Sequence, residues 1–177
     1  MIPCAAARFF EPRVPVERID LTNLDRYTHP TLRLTVPYPP QWFAKELEVE
    51  DDVGNPNPMW VRLLLSRELV LGWGDKCFVC VSVSVPKSRL DADSVMAGMR
   101  ATGNRQLSLR RIRAGAYSYP LAEFLIGGPS SSFPSHEYLL FVNDPQRDFV
   151  VGLEAPEGEW PRYKDLFDAM VDAIAAS

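Results

Sequence analysis

The feature that most restricts how this chain can fold is the run Cys77-Phe-Val-Cys-Val-Ser-Val-Ser-Val85, in which valine recurs at every second position. Successive side chains of a strand point to opposite faces. Cys77, Val79, Val81, Val83 and Val85 therefore share one face, and Cys80, Ser82 and Ser84 lie on the other. Period-two alternation of β-branched residues predicts a strand inside a sheet, with one face in a core. Pro86 ends it. The same parity settles the C-x-x-C at Cys77 and Cys80. Their thiols face opposite ways, no second Cys or His pair follows at finger spacing, and the pair cannot readily share a zinc ion. A redox C-x-x-C would open a helix, where a thiolate is stabilised, and this one does not. Three cysteines are too few and too odd in number for a disulfide framework. Buried structural cysteine is the expected reading.

Other segments repeat the strand signal. Thr31-Leu-Arg-Leu-Thr-Val36 alternates and is stopped by Pro37, Pro39 and Pro40. Residues 60–65, 68–73, 107–113, 117–126, 137–142 and 148–153 are expected as further strands. Turns fall at Gly72-Trp-Gly-Asp75, Gly127-Gly-Pro-Ser-Ser-Ser132 and Asn143-Asp-Pro145. Residues 1–30 are interrupted by Pro3, Pro12, Pro15 and Pro30 and are expected to be irregular. Lys45 to Pro58 carries Glu46, Glu48, Glu50, Asp51 and Asp52, and is expected as an exposed loop or a frayed edge. It lacks the alternating oxygen ligands and tight glycine turn of a calcium loop.

Two helices stand out. Asp91 or Asp93 caps Ser94 to Thr102, and Gly103 terminates it. In the last stretch Trp160, Tyr163, Phe167, Met170, Val171 and Ile174 recur at spacings of three and four. They form an apolar stripe opposite Asp165, Asp168 and Asp172, with Pro161 in the first turn. Such a stripe covers a sheet more often than it meets a partner. The expected architecture is α+β: an antiparallel sheet covered by helices over 94–102 and 160–176. With 177 residues and 46% apolar content, residues 31–177 suffice for one domain.

Charge and composition narrow the function. A net charge of -4 argues against nucleic acid, which a basic face would hold. Arg110, Arg111 and Arg113 read as a solvated strand end. No stretch reaches the ~20 apolar residues of a membrane helix. Met1-Ile-Pro-Cys-Ala-Ala-Ala-Arg8 lacks the pattern of a signal peptide. The expectation is a cytoplasmic protein, or an exported or lipid-anchored one whose leader has been removed. Only Lys45, Lys76, Lys87 and Lys164 among 19 basic residues are lysine, a bias that suggests a GC-rich bacterial source.

The stock of catalytic groups is thin. His29 and His136 are the only histidines. Ser135 and His136 are adjacent, so in a strand they face opposite sides. Ser130, Ser131 and Ser132 lie in a loop without a G-x-S-x-G elbow. Gly72-Trp-Gly74 lacks the third glycine of a nucleotide loop. A serine hydrolase built on Ser130 and His136 is the alternative to a non-catalytic protein. No cofactor and no metal are expected. For binding, the aromatics Tyr38, Trp42, Phe43, Trp60 and Trp73 are the candidate surface, since aromatics dominate hot spots. The competing reading is that Trp42 and Trp60 cap the ends of the core.

Tyr119-Pro-Leu-Ala-Glu-Phe124, Tyr138-Leu-Leu-Phe141, Phe149-Val-Val-Gly-Leu-Glu-Ala-Pro156 and the helix from Trp160 to Ile174 resemble the closing pattern of the PsbP-like superfamily. Leu32-Arg-Leu-Thr-Val-Pro-Tyr-Pro-Pro-Gln-Trp42 resembles its opening strand. The resemblance runs over roughly residues 30–176, and its positions are those of core and turns. It implies an α/β/α sandwich and a binding role, as in photosystem extrinsic subunits, LpqN-type lipoproteins and DcrB-like or secretion-accessory proteins. The partner it implies is a protein or an apolar ligand, with a homodimer as one form. Neither the acidic segment of the Ran-binding branch nor the photosynthetic N-terminus is matched.

Overall fold

A computed structural model describes residues 19–46, 59–69, 79–127 and 134–177, with the side chains of Met59 and Trp60 left out. Nine strands and two helices follow one another among these residues. Strands β1 (Asp25–His29) and β2 (Leu34–Tyr38) form a hairpin of their own. Strands β3 (Phe43–Glu46), β4 (Met59–Ser66), β5 (Cys80–Pro86), β6 (Arg105–Ala114), β7 (Tyr117–Ile126), β8 (Ser135–Asn143) and β9 (Asp148–Pro156) make one antiparallel sheet. Its order is β3-β4-β5-β9-β8-β7-β6. Helices α1 (Ala92–Ala101) and α2 (Trp160–Ala176) complete the fold.

Parity explains the layering. Val79, Val81 and Val83 are fully buried on the face that also carries Leu63, Leu65, Leu140, Val151 and Leu153. On that face lies α2, whose Trp160, Tyr163, Phe167, Met170, Val171 and Ile174 are buried in one stripe, as the spacing predicts. Leu34 and Val36 of β2 join the same core, so the small hairpin packs beside α2. Ala122, Phe124, Leu139, Phe141 and Val150 face the other way and meet Leu90 and Met96 beside and on α1. Helices therefore lie on both faces of an antiparallel sheet, the α+β sandwich expected from the sequence.

Helix α1 begins at Asp91, whose carboxylate accepts the N–H of Asp93 at 3.1 Å and of Ser94 at 3.3 Å. Gly103 sits at φ 87, where a β-carbon would be strained, and ends it. The C-terminus of α2 is tied down by Arg147. Its guanidinium bonds Asp144 at 2.8 Å, donates to the Ile174 carbonyl at 3.1 Å, and donates to the Tyr119 hydroxyl at 2.6 Å. Both ionic side chains are almost entirely buried, 8% and 4% exposed. Burial pushes the Asp144 carboxyl up, but the Gln146 N–H, Arg147 and Tyr119 together hold it below the usual range.

The structure departs from the expectations in four places. Residues 25–29, placed in an irregular segment, form β1. Tyr27 and His29 turn inward there, and His29 is only 5% exposed, so a polar residue stands where alternation would show an apolar one. Strand β2 starts at Leu34 rather than Thr31, because Arg33 adopts φ 49 in the turn before it. It also contains Pro37, tolerable in a two-stranded ribbon where each strand has a free edge. Phe43–Glu46 is strand β3, pairing with Ser66 to Leu63. The strand expected over 68–73 falls mostly outside the described residues. Glu68 and Leu69 are not in a strand.

Candidate functional site

Of the five proposed aromatics, the described side chains of Tyr38, Trp42 and Phe43 do not share one exposed surface. Trp42 is 6% exposed and lies 6.2 Å from the Tyr163 ring, inside the core. A turn places it there: the Trp42 N–H donates to the Pro39 carbonyl at 2.9 Å. Tyr38 is half-buried against the same core, and Phe43 is 44% exposed at the start of β3. The Trp60 backbone pairs with Val85, and Trp73 lies outside the described residues. For Trp42 the structure gives the core-capping role.

The histidines are likewise structural in their surroundings. His29 Nδ1 accepts the N–H groups of Thr31 and Leu32, each at 3.3 Å. Burial, with Arg62 adding to it, lowers its pKa, which keeps the ring neutral. His136 stacks on Trp160 with centroids 5.0 Å apart, and its Nδ1 lies 3.3 Å from Glu123 Oε1. Ser135, on the opposite face, donates to Glu154 at 2.5 Å. Ser130 is outside the described residues. The adjacent Ser135 and His136 thus face apart, as strand parity requires.

Two features escaped sequence reasoning. On the α1 side of the sheet, Glu137 pairs directly with Glu154 across β8 and β9. Its carboxylate lies over Gly152: a Cβ there would meet Glu137 Oε1 and Ser82 Oγ, each at 2.9 Å. Burial, and then the Glu154 charge, push the Glu137 pKa up to about 8. At neutral pH it is mostly an uncharged acid. The signal was available in principle, since a glycine within a valine strand marks a close approach. Which acid would approach it depends on register, which the sequence does not state.

The second feature is the free edge of the sheet at β6. This strand runs ten residues. From Ser108 to Ala114 it pairs with β7 without interruption, beyond a bulge between Gln106 and Ser108. Leu109 is 53% exposed and Leu107 39%, while Tyr117, 45% exposed, lies across from Ala114 at the far end of the ribbon and on the opposite face from Leu109. Arg111 and Arg113 share the Leu109 face. Arg111 is held by Ser118 at 2.9 Å, while Arg110 bonds Asp168 of α2 at 2.6 Å. Arg105 and Arg113 have no ion-pair partner among the described residues. Exposed leucine between arginines on a long edge is unusual, because an unpaired strand edge invites association.

The sheet, its covering helices and the closing helix α2 together set the fold. Among solved structures, the chain is similar to the solution structure of cyanobacterial PsbP (CyanoP) from Synechocystis sp. PCC 6803. The TM-score is 0.55 at 14% sequence identity, over 88% of this chain and 93% of that one. That likeness bears on the fold alone, which is PsbP-like. No family model matches the chain, and no curated protein matches it. No helix among the described residues is long and apolar enough to cross a membrane.

Proposed function

We propose that this protein is a non-catalytic bacterial accessory module, of the LpqN-like or secretion-related kind, that holds a protein partner against its β6–β7 ribbon. The observation that carries the reading is the exposure of Leu109 and Leu107 on the long edge strand of the sheet. Large apolar side chains gain by being covered, and a rigid sheet presents them without ordering cost. A protein suits this surface better than a small apolar ligand does. A depression of about 400 Å³ at the end of α2 is walled by Arg33, Asp144 and Arg147, charged groups that an apolar ligand would desolvate.

The test is site-specific photo-crosslinking in extract of the native host, from Leu109, from Leu107 and from exposed Asp172 of α2. The expected result is one product shared by Leu109 and Leu107, missing from Asp172, with capture from Leu107 lost on Leu109→Ser. Equal capture from all three positions would remove the ribbon as the binding surface. Stoichiometric fluorophosphonate labelling that disappears in His136→Ala would replace the module with a serine hydrolase.

A further inference from the structure

We infer that the β6 edge accepts an extended peptide as an eighth strand of the sheet, and that this peptide alternates apolar and acidic residues. The inference rests on the ribbon reading above and names the partner's chemistry. Geometry comes first. Strand β6 ends the sheet order, so among the described residues one row of its backbone N–H and C=O groups has no strand beside it. Its seven residues from Ser108 to Ala114 are in regular register with β7, so the outer edge over that span is regular too. The opposite edge, β3, carries Lys45 and Glu46 within its described residues, and charge of this kind protects an edge.

The two faces of β6 then set the sequence an added strand would need. Ile112 and Ala114 are partly buried against the α2-side core. Residues of an incoming strand beside these two would extend that core and must be apolar, while Arg110 on the same face is already paired with Asp168 of α2. On the other face Arg111 and Arg113 stand beside Leu109, and across from them the strand must carry acids. Cross-strand neighbours of opposite charge stabilise a sheet and like charges destabilise it. Side chains alternate, so apolar on one face and acidic on the other means strict alternation along the peptide. The stripe is also local: arginines cluster here in a chain of net charge -4, which steers acidic partners to this edge. A nucleic acid would use the arginines but neither the leucine nor the main-chain edge.

A capped nine-residue peptide of alternating valine and glutamate, fluorescently tagged, is titrated against the full chain by anisotropy. Three controls accompany it: the valine–lysine counterpart, the valine–glutamate peptide N-methylated on the amides of one edge, and a single-stranded oligothymidylate. The expected result is saturable binding of the glutamate peptide, weakened about tenfold or more by lysine and by N-methylation, since each removes a required interaction. Arg111→Glu with Arg113→Glu should reverse the preference toward the lysine peptide. Binding that survives N-methylation would overturn strand addition. Equal affinity for both peptides, or preference for the oligothymidylate, would overturn the acidic partner. If no peptide binds while Leu109 still crosslinks one protein in host extract, this inference fails and the ribbon reading stands.

Discussion

Gly152 has no side chain, and Glu137 and Ser82 hold the space one would take. That close approach leaves the Glu137 carboxyl over the sheet surface, beside Glu154, with its pKa raised from 4.5 to about 8. The raised value links protonation to stability. Between those two values the folded state holds a proton that the unfolded chain has lost, so stability falls as pH rises through that window. Above about 8 the loss is complete. Glu137→Gln should abolish this dependence and, at pH 9, stabilise the protein by ~1–3 kcal/mol, the cost of a poorly satisfied buried polar group. Urea unfolding at pH 5, 7 and 9 reads it directly. A parent protein whose stability tracks that of the variant at all three values would show that Glu137 ionises normally.

At the scale of elements, α2 is the part most fully read in advance. Its apolar spacing identified the residues that the structure buries, because a helix against a sheet hides one stripe whatever lies beneath. Phe167 is fully buried and packs against Tyr163 at 6.0 Å and Trp160 at 5.6 Å. Phe167→Ala should cost about 3–5 kcal/mol of stability. A melting temperature within a degree of the parent's would mean that α2 does not seal this core. The helix end was not legible. Asp144 and Arg147 of the β8–β9 turn meet Tyr119 of β7 beneath Ile174, two distant places in the chain. Arg147→Ala leaves the Asp144 carboxylate buried without its ion-pair partner, and should cost about 3–5 kcal/mol. Thermal unfolding of that variant beside Arg113→Ala, an exposed arginine of β6, separates this network from a general effect of removing charge.

For the whole molecule, strand order decides which parts open first. Strands β5, β9 and β8 are interior, paired on both sides and covered by apolar side chains. Strand β3 and the β1–β2 hairpin are paired on one side only. Native-state hydrogen exchange should show the slowest amides in β5, β8 and β9, close to global unfolding, and faster exchange in β1 and β3 by local opening. Slow exchange in β3 equal to that in β9 would contradict this sheet order. The outer amides of β6 should exchange quickly alone and slow down when a strand is added.

What was legible in the amino-acid order is what local periodicity controls. Val79, Val81 and Val83 declare a strand with one buried face, the α2 stripe declares a helix on a sheet, and Ser135 and His136 must diverge because neighbours in a strand do. These follow from backbone geometry within a few residues. The core position of Trp42, the strand at Asp25–His29 and the facing of Glu137 with Glu154 do not, since each depends on which distant segment lies alongside. The edge at β6 is of the same kind. Arg110, Arg111 and Arg113 look like a solvated strand end in the sequence. Only the order of strands leaves the outer side of their backbone without a strand among the described residues, with Leu109 exposed among them, because an edge is a property of the sheet and not of the strand.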